Sequence, residues 1–122
     1  MLRPITLVLI LIPCLAIGQG LRSGDRPLDV GELATRLAGS AVTFYDGSRA
    51  HYGAEGAYGY RYTPEDPEFS GRYRTAGDGE VCVVFENGLD RCDTYVEADG
   101  RLVLITADGL RFPVRSHEPV DR

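Results

Sequence analysis

Two cysteines bracket the segment "CVVFENGLDRC", Cys82 at its start and Cys92 at its end. Paired thiols serve three chemistries: metal ligation, thiol exchange or a structural disulfide. Zinc sites usually close on a C-x₂₋₄-C spacing, and exchange sites want a tight C-x-x-C at a helix N-terminus. The spacing here matches neither. His51 and His117 would complete a Cys₂His₂ set by count, but neither lies at ligand spacing from a cysteine. In an oxidising compartment an even pair reads first as a disulfide. Register decides whether that bond can form. A two-residue turn at Asn87-Gly88 sets Cys82 against Asp93 and turns Cys92 to the opposite face. A three-residue loop, Glu86-Asn87-Gly88 with Gly88 left-handed in a bulge, sets the cysteines opposite each other on one face. The local sequence allows both. Export and the lack of any other thiol in the mature chain favour the second, so a Cys82–Cys92 disulfide is expected.

The rest of the chain holds little overt chemistry. There is no G-x-S-x-G elbow, Walker loop, H-E-x-x-H or dinucleotide fingerprint. His51, in "SRAHYG", reads first as a structural strand residue; with a nearby acid it is the base of an alternative reading, an envelope hydrolase. Glu65, Asp66 and Glu68 in "PEDPE" lack the glycine and alternating oxygen ligands of a calcium loop. They read as a solvated turn. No metal or other cofactor is expected. The most distinctive pattern is "AYGYRYTP". Tyr58, Tyr60 and Tyr62 share one strand face, with Gly59 and Arg61 on the other. With Arg72 and Arg74 they are the candidate ligand-binding residues, suited to a glycan, a peptide or an amphipathic ligand. Tyrosine also favours strands and fills the rims of small barrels. On that packing reading, Tyr60, the central ring, belongs to the core.

These residues need a scaffold. "PLDVGELATRLAG" predicts one helix. Asp29 caps it, Glu32 reaches back in a capping box, Leu28 and Leu33 staple its start, and Gly39 stops it. Val30, Leu33 and Leu37 form its apolar stripe. From Ala41 the pattern changes to short strands punctuated by "YDG", "ENG" and two "ADG" turns, predicting strands at 41–46, 48–53, 56–62, 70–75, 80–86, 89–96, 101–106 and 110–114. Connections this short demand antiparallel neighbours. The fold class is therefore mainly β: one short N-terminal helix on an antiparallel meander of about seven or eight strands, closed as a small barrel or open and strongly twisted. The apolar run from Leu102 to Ile105 predicts a strand buried on both faces.

The ends read as processing and solvent. Arg3, the apolar run Ile5–Ile12 and the small residues Ala16 and Gly18 predict a signal peptide over 1–18, too short to span a bilayer. Residues 19–27 read as a flexible tether, 28–115 as the single domain and 116–122 as a disordered tail. Cleavage removes Cys14 and leaves two cysteines. All 13 basic residues are arginine, against 18 acids. So acidic a chain is not built to follow a phosphate backbone, which argues against nucleic acid.

The helix "LDVGELATRLAG", then "FYDGSRAHYGAEGAYGY", "GRYR", "VCVVFENGLDRC" and "GRLVLITADGLRFPV", resembles an uncharacterised family of short secreted proteobacterial proteins, in which a helix leads into a cysteine-bearing β-meander. Members often carry tryptophan where Tyr73 stands here. The meander is also similar in fold to calycin-like barrels. The resemblance implies export and fold and assigns no activity. The expected function is therefore a periplasmic or secreted β domain that binds or interacts without catalysis, its partner an envelope protein or a small amphipathic ligand. The alternative to ligand capture is a structural accessory of an envelope complex.

Overall fold

The computed structural model describes Pro4 and residues 20–120. Apart from Pro4, the leader expected over 1–18 lies outside them. Among the described residues, no helix is long and apolar enough to cross a membrane.

The chain forms an eight-stranded antiparallel barrel with one extra strand. After the two-residue β1 (Arg26–Pro27) and α1 (Val30–Leu37) come β2 (Ser40–Phe44), β3 (Arg49–Tyr52), β4 (Ala57–Arg61), β5 (Phe69–Thr75), β6 (Glu80–Phe85), β7 (Asp90–Ala98), β8 (Arg101–Ile105) and β9 (Arg111–Pro119). Each strand from β2 to β9 pairs with the next, and β9 returns to pair with β2. Closure removes the sheet edges. Of the two forms the sequence allows, the chain takes the barrel.

Two terminal expectations need correction. The segment expected as a frayed tail is strand: Ser116 to Pro119 pair with Thr43 to Ser40. The segment expected as a flexible tether is strapped to the barrel wall. Arg26 and Pro27 pair with Glu97 and Val96, and Leu21 packs on Val96, Val103 and Ile105 outside the barrel. That cover is why β8 is buried on both faces.

An ion pair fastens the strap. Arg111 Nη1 lies 2.6 Å from Asp25 Oδ2 and donates also to the Gly20 carbonyl at 2.7 Å. Hydrogen bonds from Arg111 hold the Asp25 carboxyl below the usual carboxylate range. A depressed folded pKa contributes stability above the unfolded carboxyl value of about 3.9, lost as pH falls through the folded value. Asp25→Asn should therefore be less stable than the parent near neutrality, with the gap closing as pH falls below the unfolded carboxyl value of about 3.9. Urea unfolding across that range checks it; a gap of constant size means the carboxylate charge is not what fastens the strap.

The helix forms as its sequence requires. Asp29 Oδ1 accepts from the Glu32 amide at 2.8 Å. The Glu32 side chain turns away to Arg26, 2.9 Å, so only half of the capping box is made. Leu28 and Leu33 are both fully buried, as a staple demands. Val30 is 49% exposed, so the buried stripe is Leu33 and Leu37 alone. These leucines share one core with the barrel interior: Val42, Tyr52, Val81, Tyr95 and Leu102 among others. Since α1 leads directly into the start of β2, it plugs that end of the barrel. Gly79, in the β5–β6 turn at the same end, sits against the Tyr95 carbonyl with no room for a side chain.

The hairpin β6–β7 takes the three-residue loop. Gly88 has φ +88°, Phe85 N–H donates to Leu89 O at 2.8 Å, and Cys82 faces Cys92 in register. The two sulfurs are bonded. With both cysteines on the outer face, Val81, Val83, Arg91, Asp93 and Tyr95 point inward. A one-residue slip would exchange these sets, and the disulfide forbids it. Closing a loop this short contributes roughly 2–3 kcal/mol on the chain-entropy account. Cys82→Ala/Cys92→Ala should lose about that much in chemical unfolding. A loss below about 0.5 kcal/mol would leave the turn alone as the register's source.

Candidate functional site

An eight-stranded barrel has an interior just wide enough for its side chains or for one small ligand. Here it is divided. At the helix end, Leu28, Leu33, Leu37, Tyr52 and Tyr95 fill it. At the other end lie the turns β2–β3, β4–β5, β6–β7 and β8–β9, and a cavity of about 340 Å³ opens there. Its wall includes Phe44, Tyr58, Tyr60, Tyr62, Leu104 and Phe112.

The tyrosine rings pack in two groups, one in the core around Tyr52 and one at the rim around Tyr62. Tyr95 and Tyr52 are fully buried and their hydroxyls share a hydrogen bond of 2.7 Å. Tyr52 packs against Tyr58 at 5.4 Å and Tyr73 at 5.1 Å between ring centroids, and Tyr73 donates to the Gly53 carbonyl. Tyr60 meets Tyr62 edge to face at 5.0 Å, and Tyr62 meets Phe69 at 5.8 Å. Such pairs favour offset and T-shaped contacts because ring edges are positive and faces negative. Burial pushes the phenols of Tyr52, Tyr58 and Tyr95 well above their usual range. For Tyr60 the rise comes first from burial, opposed by a Ser48 hydrogen bond and aided by the Asp46 charge.

The three tyrosines of "AYGYRYTP" do share one face, but depth grades them. Tyr58 is 9% exposed and packs in the core; Tyr60 is half-buried; Tyr62 is exposed at the mouth. The expectation that Tyr60 is the core ring is corrected: the core lies toward the plugged end, and Tyr58 is nearer to it. Among the described residues, no group hydrogen-bonds the Tyr58 hydroxyl, and Tyr58 lines the cavity. Arg72 and Arg74 do not join the tyrosines. Both are exposed, Arg72 pairing with Ala57 in register and donating to the Glu55 carbonyl at 2.8 Å, and Arg74 facing Cys82.

The cavity wall also holds an ion pair that the sequence did not single out. Arg91 Nε and Nη2 donate to Asp93 Oδ2 and Oδ1 at 2.9 and 2.8 Å. The Asp93 carboxylate is almost wholly buried, and its hydrogen bonds hold the Arg91 guanidinium above its ordinary pKa. The signal was present in "RCDTY": once Cys92 faces out, Arg91, Asp93 and Tyr95 must face in. At the rim, Asp46 accepts from the Ser48 amide and hydroxyl at 2.9 and 2.6 Å, and Asp108 accepts from the Thr106 hydroxyl.

The histidines lie elsewhere. His51 points out from β3 into a groove on the barrel's outer wall, shared with Arg49, Arg61, Glu68 and Arg115. His117 lies in β9 and its Nε2 meets the Arg36 carbonyl at 2.7 Å. Neither is among the residues that line the cavity, and the two cysteines are bonded to each other. Comparison with family models, with curated proteins and with solved structures yields no match to this chain.

Proposed function

We propose that this protein is an exported, non-enzymatic binding module that takes a small amphipathic ligand into the open end of its barrel. The observation that carries the reading is the cavity itself: about 340 Å³, lined by aromatic rings, with one hydrogen-bonded charge pair in its wall. Small-ligand sites have this make-up, an apolar wall with a few placed polar groups. The Cys82–Cys92 disulfide supports an oxidising compartment, periplasmic or extracellular. The exposed large apolar residues Tyr62, Phe69, Leu89 and Leu110 cluster at the mouth turns. They favour entry at that end over a flat sheet face docked on an envelope complex.

A neutral lipophilic fluorophore such as N-phenyl-1-naphthylamine tests this. Saturable one-to-one binding is expected. Tyr62→Ala should weaken it several-fold while melting with the parent, because that ring lines the mouth and is exposed. Non-saturable binding, or affinity indifferent to both Tyr62→Ala and Tyr60→Ala, means that the cavity is not the site.

A further inference from the structure

The charges around the cavity are unequal. Three carboxylates line it, Asp46, Asp93 and Asp108, against a single guanidinium, Arg91. Arg91 is committed to Asp93 through two parallel hydrogen bonds, so that pair is neutral as a unit. Asp46 and Asp108 have no ion-pair partner among the described residues. Each spends one carboxylate oxygen, Oδ1, on its own turn, and the other oxygen, Oδ2, makes no hydrogen bond among the described residues. The mouth therefore carries two negative charges without an ion-pair partner among the described residues, beside a wall rich in aromatic rings.

Aromatic faces are negative at the ring centre and attract cations electrostatically, more so where water is excluded. Tyr58, Tyr60, Tyr62, Phe44 and Phe112 are the rings that line the cavity. The Tyr58 hydroxyl, on a side chain 9% exposed, lies at the cavity with no hydrogen-bond partner among the described residues. A neutral hydroxyl can accept from an ammonium as readily as it can donate. An anionic head would meet the rim carboxylates first and displace Asp93 from Arg91 last. Rings and carboxylates thus agree on one sign of charge.

Resting on the binding reading above, we infer that the ligand is an organic cation, an amine or quaternary ammonium bearing an apolar body, held among the cavity tyrosines with Asp46 and Asp108 as its counter-charges.

Three probes of one shape and different charge test this: benzyltrimethylammonium, its neutral carbon isostere neopentylbenzene, and benzylsulfonate. Affinities are read by ligand-observed NMR on the oxidised protein at low salt. The cation should bind about tenfold more tightly than the neutral isostere, with the anion weakest. Asp46→Asn/Asp108→Asn keeps the amide oxygen that each turn needs and removes both charges. It should narrow the cation's advantage over the neutral isostere to about threefold or less. Raising the salt on the parent protein should weaken the cation alone, which gives the same answer should the double variant fail to fold. Equal affinity for all three probes overturns the charge assignment and leaves the binding module standing. Preference for benzylsulfonate overturns it in favour of Arg91 as the reader. No binding by any probe overturns both readings.

Discussion

Tyr95→Ala should cost roughly 3–5 kcal/mol of unfolding free energy, the range for truncating a large buried ring. Tyr95 is fully buried, touches Tyr52 at 6.3 Å between centroids and shares its hydroxyl proton with it. Truncation empties the middle of the barrel and strands the Tyr52 hydroxyl in the core. For a domain whose total stability is about 5–15 kcal/mol, that is a large fraction. It corresponds to a melting point lower by more than about 10 °C. Removing hydroxyls alone separates the two causes. Tyr95→Phe or Tyr52→Phe each leaves one buried phenol without its partner, at about 1–3 kcal/mol. The double Phe variant strands neither and should recover part of the loss, so the cycle should be non-additive. Burial raises both phenols. A raised folded pKa means stability is fully present below the unfolded tyrosine value of about 10 and declines above it, as the unfolded chain ionises first. The alkaline decline should be shallower in the double Phe variant. Additive single losses, or a Tyr95→Ala cost under about 1 kcal/mol, would show that this ring does not hold the core.

The same tyrosine lattice shows what the sequence could and could not reveal. Alternation places Tyr58, Tyr60 and Tyr62 on one face, and the structure keeps them there. Their depth is set by which end the helix plugs, and no local pattern in β4 encodes that. The disulfide is a choice between two registers: cysteine count and expected export favour one, and the observed pairing of Cys82 with Cys92 settles it. Carried one step further, that register turns Arg91 and Asp93 inward, so the ion pair in the cavity wall was within reach. Closure was not. It depends on Ser40 to Phe44 finding Val114 to Pro119 across the length of the barrel, and β9's outer half is so exposed and polar that it reads as a tail. Nor could the strap be read, since Asp25 meets Arg111, 86 positions away, only once the barrel has formed. Short-range pairing is written in turns and periodicity; pairing across the chain emerges from the closed geometry.

Leu33→Ala is expected to cost about 2–5 kcal/mol, while Val30→Ala, three residues earlier on the same helix, should stay within about 0.5 kcal/mol. The contrast tests whether α1 is a plug or an appendage. An eight-residue helix is too short to hold itself in water, so α1 persists only through what it buries. It buries Leu33 and Leu37 completely and leaves Val30 half-exposed. Those leucines join the same core as Val42, Val81 and Tyr95, which means that loosening the helix uncovers the barrel's interior from below. A plug cannot leave without melting what it seals. Leu33→Ala should therefore lower the single unfolding transition of the whole domain, and hydrogen exchange should show α1 amides opening with those of β2 and β6 at one free energy. An appended helix gives the opposite record: α1 amides that exchange early and separately, and a barrel transition untouched by Leu33→Ala. The plug also fixes where a ligand can sit. With the helix end filled by leucine and tyrosine, the volume left is at the tyrosine-lined mouth.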